Sequence, residues 1–352
     1  MNQLNVWRTV FIVGAALGFG LCVILLTSQE PGVAVHAFFV GPFSNTYFFG
    51  NLLASAIPLV LTGVAACVSF SASVLNLGLE GQVYLGSFLG VFLAWRFETF
   101  PPVVLYPFIF SIVFCCSGLL AALSGYLKIK RNVNTLISSL LISYIAIYLV
   151  DALIETVFID PNAGMAATPY FSDRFLFAKL LPPSDLHAGL FLALIFTFSL
   201  YLVMKKSVFG FEIALTGKNP TFARYTGISV SKILMLSMFL SGGFAGMAGM
   251  IDIFGIHGRM IRGFSNGYGW NGIAVALIAR NQPLWAIPSA LFFAYLENAA
   301  NVGALLSDIT PEIARTIQAT IFFTVTAETL FSFVRKKKGG EAWTPSSTAS
   351  SR

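Results

Sequence analysis

Charge is what this sequence has least of. Lys and Arg number 21 and Asp and Glu 15 in 352 residues, a 10% share, against about 25% in an ordinary soluble domain. A soluble chain of this length needs more charge to cover its surface. A soluble enzyme, a disordered chain and a nucleic-acid-binding domain are therefore excluded. The formal net charge of +6 does not point to nucleic acid either, because in a membrane protein the position of basic residues says more than their number. Cysteine and histidine are equally scarce. Cys22, Cys67, Cys115 and Cys116 lie in apolar runs without a Cys-x-x-Cys pair and read as small buried hydrophobes. His36, His187 and His257 are scattered, so no metal site is expected. No His-Glu-x-x-His or comparable cluster occurs, and no residue is assigned a catalytic role.

Apolar residues, by contrast, make up 57% of the chain. A transmembrane helix takes about 20 of them. Ten apolar runs can be drawn: 10–27, 47–70, 82–96, 103–127, 133–150, 186–204, 233–253, 270–279, 284–300 and 313–334. The expected fold is an all-α integral membrane protein, a polytopic bundle of about ten transmembrane helices within residues 1–338. The first run is longer than a signal-peptide core and reads as a retained span. The run at 270–279 is too short to cross a bilayer alone and predicts a broken or tilted element. Residues 151–185 form a polar, Pro-containing stretch. Residues 339–352 are Ser/Thr-rich and are expected to be a disordered cytoplasmic tail.

With the N-terminus in the cytoplasm, alternation puts 15 of the 21 basic residues inside, including Lys128, Lys130, Arg131, five residues between 205 and 232, and the run 335–338. Six fall outside. That is the bias expected of cytoplasmic loops. It puts both termini in the cytoplasm and leaves 151–185 outside, with Asp151, Glu155, Asp160, Asp173 and Asp185.

Five stretches could carry function. Within the basic loop 205–232 lies Gly217-Lys218-Asn219-Pro220-Thr221-Phe222-Ala223-Arg224-Tyr225-Thr226-Gly227. Asn219 suits an N-cap, Pro220 the first helical position and Gly227 the stop, enclosing about two turns of helix. Phe222 and Tyr225 share a face of it. That face reads either as a docking knob or as an interfacial turn touching lipid headgroups. Gly217-Lys218 is not a phosphate-binding loop, since Glu212 and Asn219 occupy the positions that motif gives to Gly and Ser/Thr.

The segment 71–82 contains Asn76 and Glu80. Glu80 is either a carboxylate at membrane depth, where it is expensive, or the cap of the following helix in a cytoplasmic turn. Four glycines in 263–272 argue against a regular spanning helix. Asn266, Tyr268, Trp270 and Asn271 there border either a solute pathway or an outer loop. The small residues of 241–249 fit close helix packing. Glu297, with Asn298 and Asn301, and Glu328 are further polar groups within apolar runs.

These features together resemble a family of ABC importer permeases that serve branched-chain amino acids, simple sugars, nucleosides and related solutes. The resemblance is carried by IPLVLT (57–62), LNLGLEGQ (75–82), GFEIALTGKNPTFARYTGI (210–228), the small-residue run 241–249, and 255–280 leading into Asn281-Gln282-Pro283-Leu284. It runs from about residue 51 to 334. The segment HGRMIRGFSNGYGWNGIAVALIARNQPL resembles the branch served by basic-membrane-protein-type lipoproteins, which carries purine nucleosides or riboflavin.

The resemblance implies about ten spans, a second permease of similar fold, a cytoplasmic ABC ATPase that binds the ATP and Mg, and a substrate-binding lipoprotein. This chain would hold no cofactor, contact membrane lipid in the bacterial inner membrane, and do no covalent chemistry. It also implies that 217–228, with Gly217, Asn219, Pro220, Phe222, Arg224, Tyr225 and Gly227, docks into the ATPase. Asn76, Glu80, Asn266, Tyr268, Asn271 and Glu297 are the candidates for the substrate pathway. Arg262 departs from the family pattern. The alternatives are a simple-sugar permease of the same kind and an ion-coupled secondary transporter using Glu297 or Glu328.

Overall fold

The structure, a computed structural model, describes residues 17–310 together with Gly14, Glu312, Arg315, Thr316, Ala319, Thr320 and Phe323. Glu328, the basic run 335–338, the tail and most of the run 313–334 lie outside the described residues, as does the beginning of the first run. The described chain is helical throughout, in the order α1 (Leu17–Thr27), α2 (Pro31–Phe39), α3 (Thr46–Ser71), α4 (Leu79–Arg96), α5 (Pro102–Arg131), α6 (Thr135–Thr156), α7 (Gly189–Lys206), α8 (Val208–Lys218), α9 (Pro220–Tyr225), α10 (Val230–Asp252), α11 (Tyr268–Ile278) and α12 (Pro283–Leu306). Nine of the ten apolar runs each coincide with one of these helices. The bundle is that of a polytopic membrane protein.

Local chemistry sets the boundaries. Asn45, Asn134 and Ser207 cap α3, α6 and α8 by accepting from Phe48 N (2.8 Å), Leu136 N (2.9 Å) and Gly210 N (3.1 Å). Asn132 ends α5 in the left-handed region at φ 52°. Two boundaries depart from the sequence reading. Helix α6 continues to Thr156, so Asp151 and Glu155 sit on its last turns and not in the outer loop. The basic stretch 205–232 holds a helix, α8, that composition did not suggest.

The core is built around α3 and α10. In the most apolar window of α3, 89% of residues are buried; for α10 with the turn that continues it the figure is 67%. The corresponding shares for α5, α6 and α7 are 28%, 33% and 22%, so these helices are peripheral. Their exposed faces carry residues such as Leu119, Leu141, Tyr148 and Phe198, the surface a bilayer covers. The small residues expected to permit close packing do so. A Cβ on Gly246 would collide with Ser117 Oγ of α5, and one on Gly86 with the Gly246 backbone, so α4, α5 and α10 cross at near backbone contact.

Beyond Asp252 the helix loosens into one π-turn, Ile253–His257. It meets the connection between α6 and α7: Phe177 N donates to Phe254 O at 2.8 Å, and His187 stacks on Phe177 with centroids 6.0 Å apart. His187 is fully buried just ahead of α7. Its Nδ1 accepts from Gly189 N at 3.2 Å, and its Nε2 has no partner among the described residues.

Burial, and then Lys179 nearby, push the pKa of His187 down from 6.5 to about 4. The folded loop keeps the imidazole neutral while the unfolded chain protonates below 6.5. The stability is therefore full above pH 6.5 and is lost progressively as pH falls toward 4. Limited proteolysis of the 157–188 connection is expected to be several-fold faster at pH 5 than at pH 7.5, and His187→Phe is expected to remove that difference. Equal cleavage rates of the original protein at both pH values would show that His187 does not control this loop.

Candidate functional site

Residues 74–78 have no regular secondary structure, and they run into the bundle. Asn76 meets Ser241 of α10 at 3.0 Å. Ser241 is twelfth in α10, about halfway along a span that reaches from Val230 to His257. The segment 71–82 is therefore not a surface turn: α3 ends on the side of α8 and α9, the chain climbs irregularly to mid-span, and α4 starts there. Backbone groups in such a place need partners. Ser139 and Ser143 of α6 supply them, accepting from Leu77 N (3.1 Å) and Gly81 N (2.7 Å). Asn76 accepts from Gly78 N at 3.0 Å and forms a reciprocal amide pair with Gln82. Both donors of Asn76 and its carbonyl are thus engaged inside the chain.

Glu80 does cap a helix, but a different one from its own. Its carboxylate accepts from Ser265 Oγ and from Gly269 N (2.6 Å), the first turn of α11. Gly269 lies so close to the Glu80 backbone that a Cβ would collide with Glu80 N. Two helix N-termini, those of α4 and α11, therefore converge on one carboxylate. This corrects the reading of the Gly-rich segment 263–272. Gly269 and Gly272 are helical and serve close approach, Gly272 to Thr62 of α3. Only Gly263 and Gly267, at φ 73° and 85°, shape the loop. The short run at 270–279 is an 11-residue half-span starting at mid-depth.

The six pathway candidates separate into groups. Asn76 and Glu80 hold the crossing just described. Tyr268 and Glu297 border a cavity of about 320 Å³ between the start of α3 and the second half of α12, on the side opposite α8 and α9. Asn51, Ser55, Asn298 and Asn301 border it too. Asn298 Nδ2 donates to Ser55 Oγ at 2.7 Å, and Asn51 Oδ1 accepts from Asp185 N at 2.8 Å. The Tyr268 hydroxyl reaches Asp252 Oδ1 at 3.5 Å, and His257 Nε2 is 3.4 Å from Asp252 Oδ2. Asn266 is exposed in the loop at φ 44°, and Asn271 is half-buried on α11; neither borders the cavity. Arg262 pairs with Glu155 and lies 3.6 Å from Asp151, tying the loop to the end of α6.

At the other end, α9 matches its sequence reading, although it is one and a half turns long. Asn219 accepts from Phe222 N at 2.9 Å, Pro220 opens the helix, and Gly227 stops it at φ 88°. Ala223 is fully buried and anchors α9, while Phe222 is 52% and Tyr225 87% exposed. The exposed pair is next to Arg224. The knob is tied to the crossing: Ser73 Oγ donates to Gly217 O at 2.6 Å, and Gly217 packs against the Ser71 carbonyl without room for a Cβ.

Comparison with known proteins bears on this arrangement directly. The family model described as branched-chain amino acid transport system / permease component matches residues 48–326. The chain belongs to that family. A glucose ABC transporter permease protein of Haloferax volcanii is 30% identical, over 91% of this chain and 87% of that protein. A probable riboflavin import permease protein of Treponema pallidum is 29% identical, over 87% and 81%. A guanosine ABC transporter permease protein of Bacillus subtilis is 28% identical, over 96% and 98%. This chain is thus an ABC importer permease, a multi-pass membrane subunit and not itself an enzyme. The family implies an ATPase and a solute-binding protein as partners.

Within this permease, Ser139, Ser143 and Asn51 escaped the sequence reading. The signal was present in each case, as two serines four apart on an apolar helix and one amide in the run 47–70. Ser139→Ala with Ser143→Ala leaves two buried N–H groups unpaired, at about 1–3 kcal/mol each. The double variant is expected to melt at least 5 °C lower in detergent, while Ser111→Ala, on the exposed face of α5, leaves the midpoint unchanged. An unshifted double variant would mean that water, not α6, satisfies the segment.

Proposed function

We propose that this permease carries a nucleoside-like heteroaromatic solute, a purine nucleoside or riboflavin, across the cytoplasmic membrane of a bacterium. It pairs with a second permease of similar fold and receives solute from a lipoprotein outside. The ATPase docks on α9 and binds the ATP and Mg. Both termini and the 205–232 segment lie in the cytoplasm, and the 151–185 connection lies outside.

The observation that carries the coupling role is the α9 knob, whose two aromatic side chains stand free on a capped, anchored helix. Gly217, Asn219, Pro220 and Gly227 shape it, and Phe222, Arg224 and Tyr225 present its contact groups. A lipid-touching turn needs no bond from Gly217 to the 71–82 segment, whereas a coupling element does. Movement at α9 reaches Ser73, then residues 74–78, then Glu80 and the first turn of α11. Asn76 and Glu80 act in this reading as positioning residues, and Tyr268 and Glu297 as pathway residues.

The riboflavin and guanosine relatives support the heteroaromatic solute. The glucose relative, at 30% identity, supports a second reading in which the solute is a simple sugar. An ion-coupled transporter finds no support in the family.

Phe222→Ala with Tyr225→Ala should leave the permease inserted and folded, since both side chains are exposed. Aromatic anchors at interfaces commonly contribute about 2 kcal/mol or more each. The double variant is therefore expected to retain less than a tenth of the ATPase in a pull-down and to lose uptake. Retention of the ATPase at full strength would remove α9 from the docking surface.

A further inference from the structure

The cavity opposite α9 is built from unlike parts. Tyr47 and Phe48 give it aromatic walls, and Asn51, Asn298 and Asn301 give it amides. Glu297 gives it one carboxylate. No Lys or Arg lines it, and its other acid, Asp185, is paired with Lys179 Nζ at 2.7 Å. Among the described residues Glu297 has no ion-pair or hydrogen-bond partner. It comes 15 residues into α12, well inside a 24-residue helix. An uncompensated carboxylate in such a place is costly and marks a site where a donor arrives.

We infer that this cavity is the receiving site for the solute on the outer side. It takes a single uncharged molecule built on a sugar ring, a fused heteroaromatic ring or both, with several hydroxyl or N–H donors, and it turns away anions. The inference rests on the importer reading above and extends it to a site and a charge rule. The volume of about 320 Å³ is at the lower end of the roughly 300–1,000 Å³ that small-molecule pockets span. That suits one nucleoside or one hexose, not an oligomer.

The chemistry of the walls fits the same molecule. Ring faces pack on Tyr47 and Phe48. Amides offer both donors and acceptors to hydroxyls and ring heteroatoms. Glu297 only accepts when ionised, so it binds O–H and N–H groups and repels phosphate and carboxylate. A nucleoside passes this test, while the same nucleoside bearing a phosphate does not.

The test uses the assembled importer, with its partner permease and ATPase, in proteoliposomes. Asn301→Cys, in a background whose native cysteines are serine, is labelled from outside with an impermeant maleimide. Guanosine, glucose and guanosine monophosphate are offered as protectants. We expect guanosine to slow labelling at least fivefold and guanosine monophosphate to leave it unchanged. Protection by glucose in place of guanosine would uphold the cavity while replacing the nucleoside reading with the sugar one, and protection by guanosine monophosphate would overturn the charge rule.

In a second arm, Glu297→Gln is expected to lower the efficiency of guanosine uptake about tenfold, the scale of one charge-assisted hydrogen bond, and to let the monophosphate compete. Copurifying ATPase confirms that this variant assembles. Labelling unaffected by any of the three compounds, in an importer that takes up guanosine, would overturn the cavity alone. Failure of the unmodified importer to take up guanosine, riboflavin or glucose would overturn the proposed solute and the cavity together.

Discussion

The structure depends on one carboxylate placed between two helix N-termini. Each helix start carries unpaired N–H groups and about half a positive charge. Helices α4 and α11 both begin inside the bundle, where their N–H groups need partners from the protein. Glu80 answers this from within α4's first turn by accepting from Ser265 and Gly269 of α11. The same constraint explains its surroundings. Gly269 must be Gly because the two backbones touch, and Ser139 and Ser143 must be on α6 because Leu77 and Gly81 have no helical partner. Asn76 and Gln82 close the arrangement against Ser241 of α10.

That junction stands between the proposed docking knob and the proposed receiving cavity. On one side, Ser73 and Ser71 tie the 71–82 segment to α8 through Gly217, and α9 follows directly. On the other, Tyr268, the residue before Gly269, borders the outer cavity. One short path of hydrogen-bonded and closely packed groups therefore joins a surface knob to a polar pocket at the opposite face. A two-state importer needs such a path, because a partner can shift the permease only through contacts that differ between its states. Two helices that start inside the bundle and meet at a carboxylate give it a place to divide, whereas an unbroken helix such as α3 does not.

Much of this was legible in the sequence. Apolar run length located nine of the helices among the described residues, five of them long and apolar enough to cross a bilayer, because a bilayer imposes length on every element that crosses it. The punctuation Asn219, Pro220 and Gly227 delimited α9 because capping is local chemistry. The small residues of 241–249 announced close packing. What failed needed tertiary information. Glu80 reads equally well as the cap of its own helix, and nothing in LNLGLEGQ reveals that the amide it accepts from, Gly269 N, lies 189 residues later. The glycines of 263–272 looked like chain breakers because their spacing does not tell Gly263, with a positive φ, from Gly269, which makes room for a neighbour. The cavity joins α3 to α12, two elements far apart in sequence, and Asn51 was one amide in an apolar run.

The central claim is that the Glu80 carboxylate holds the start of α11 at mid-span. Hydrogen exchange of the permease, resolved to the first turn of α11, tests it most directly. In the unmodified chain the amides of Gly269 to Asn271 should exchange slowly. In Glu80→Ala they should exchange at least tenfold faster, a loss of about 1.4 kcal/mol or more in local stability, with the amides of α9 unaffected. Protection at Gly269 that survives the substitution would show that α11 is held by other groups and would contradict the account.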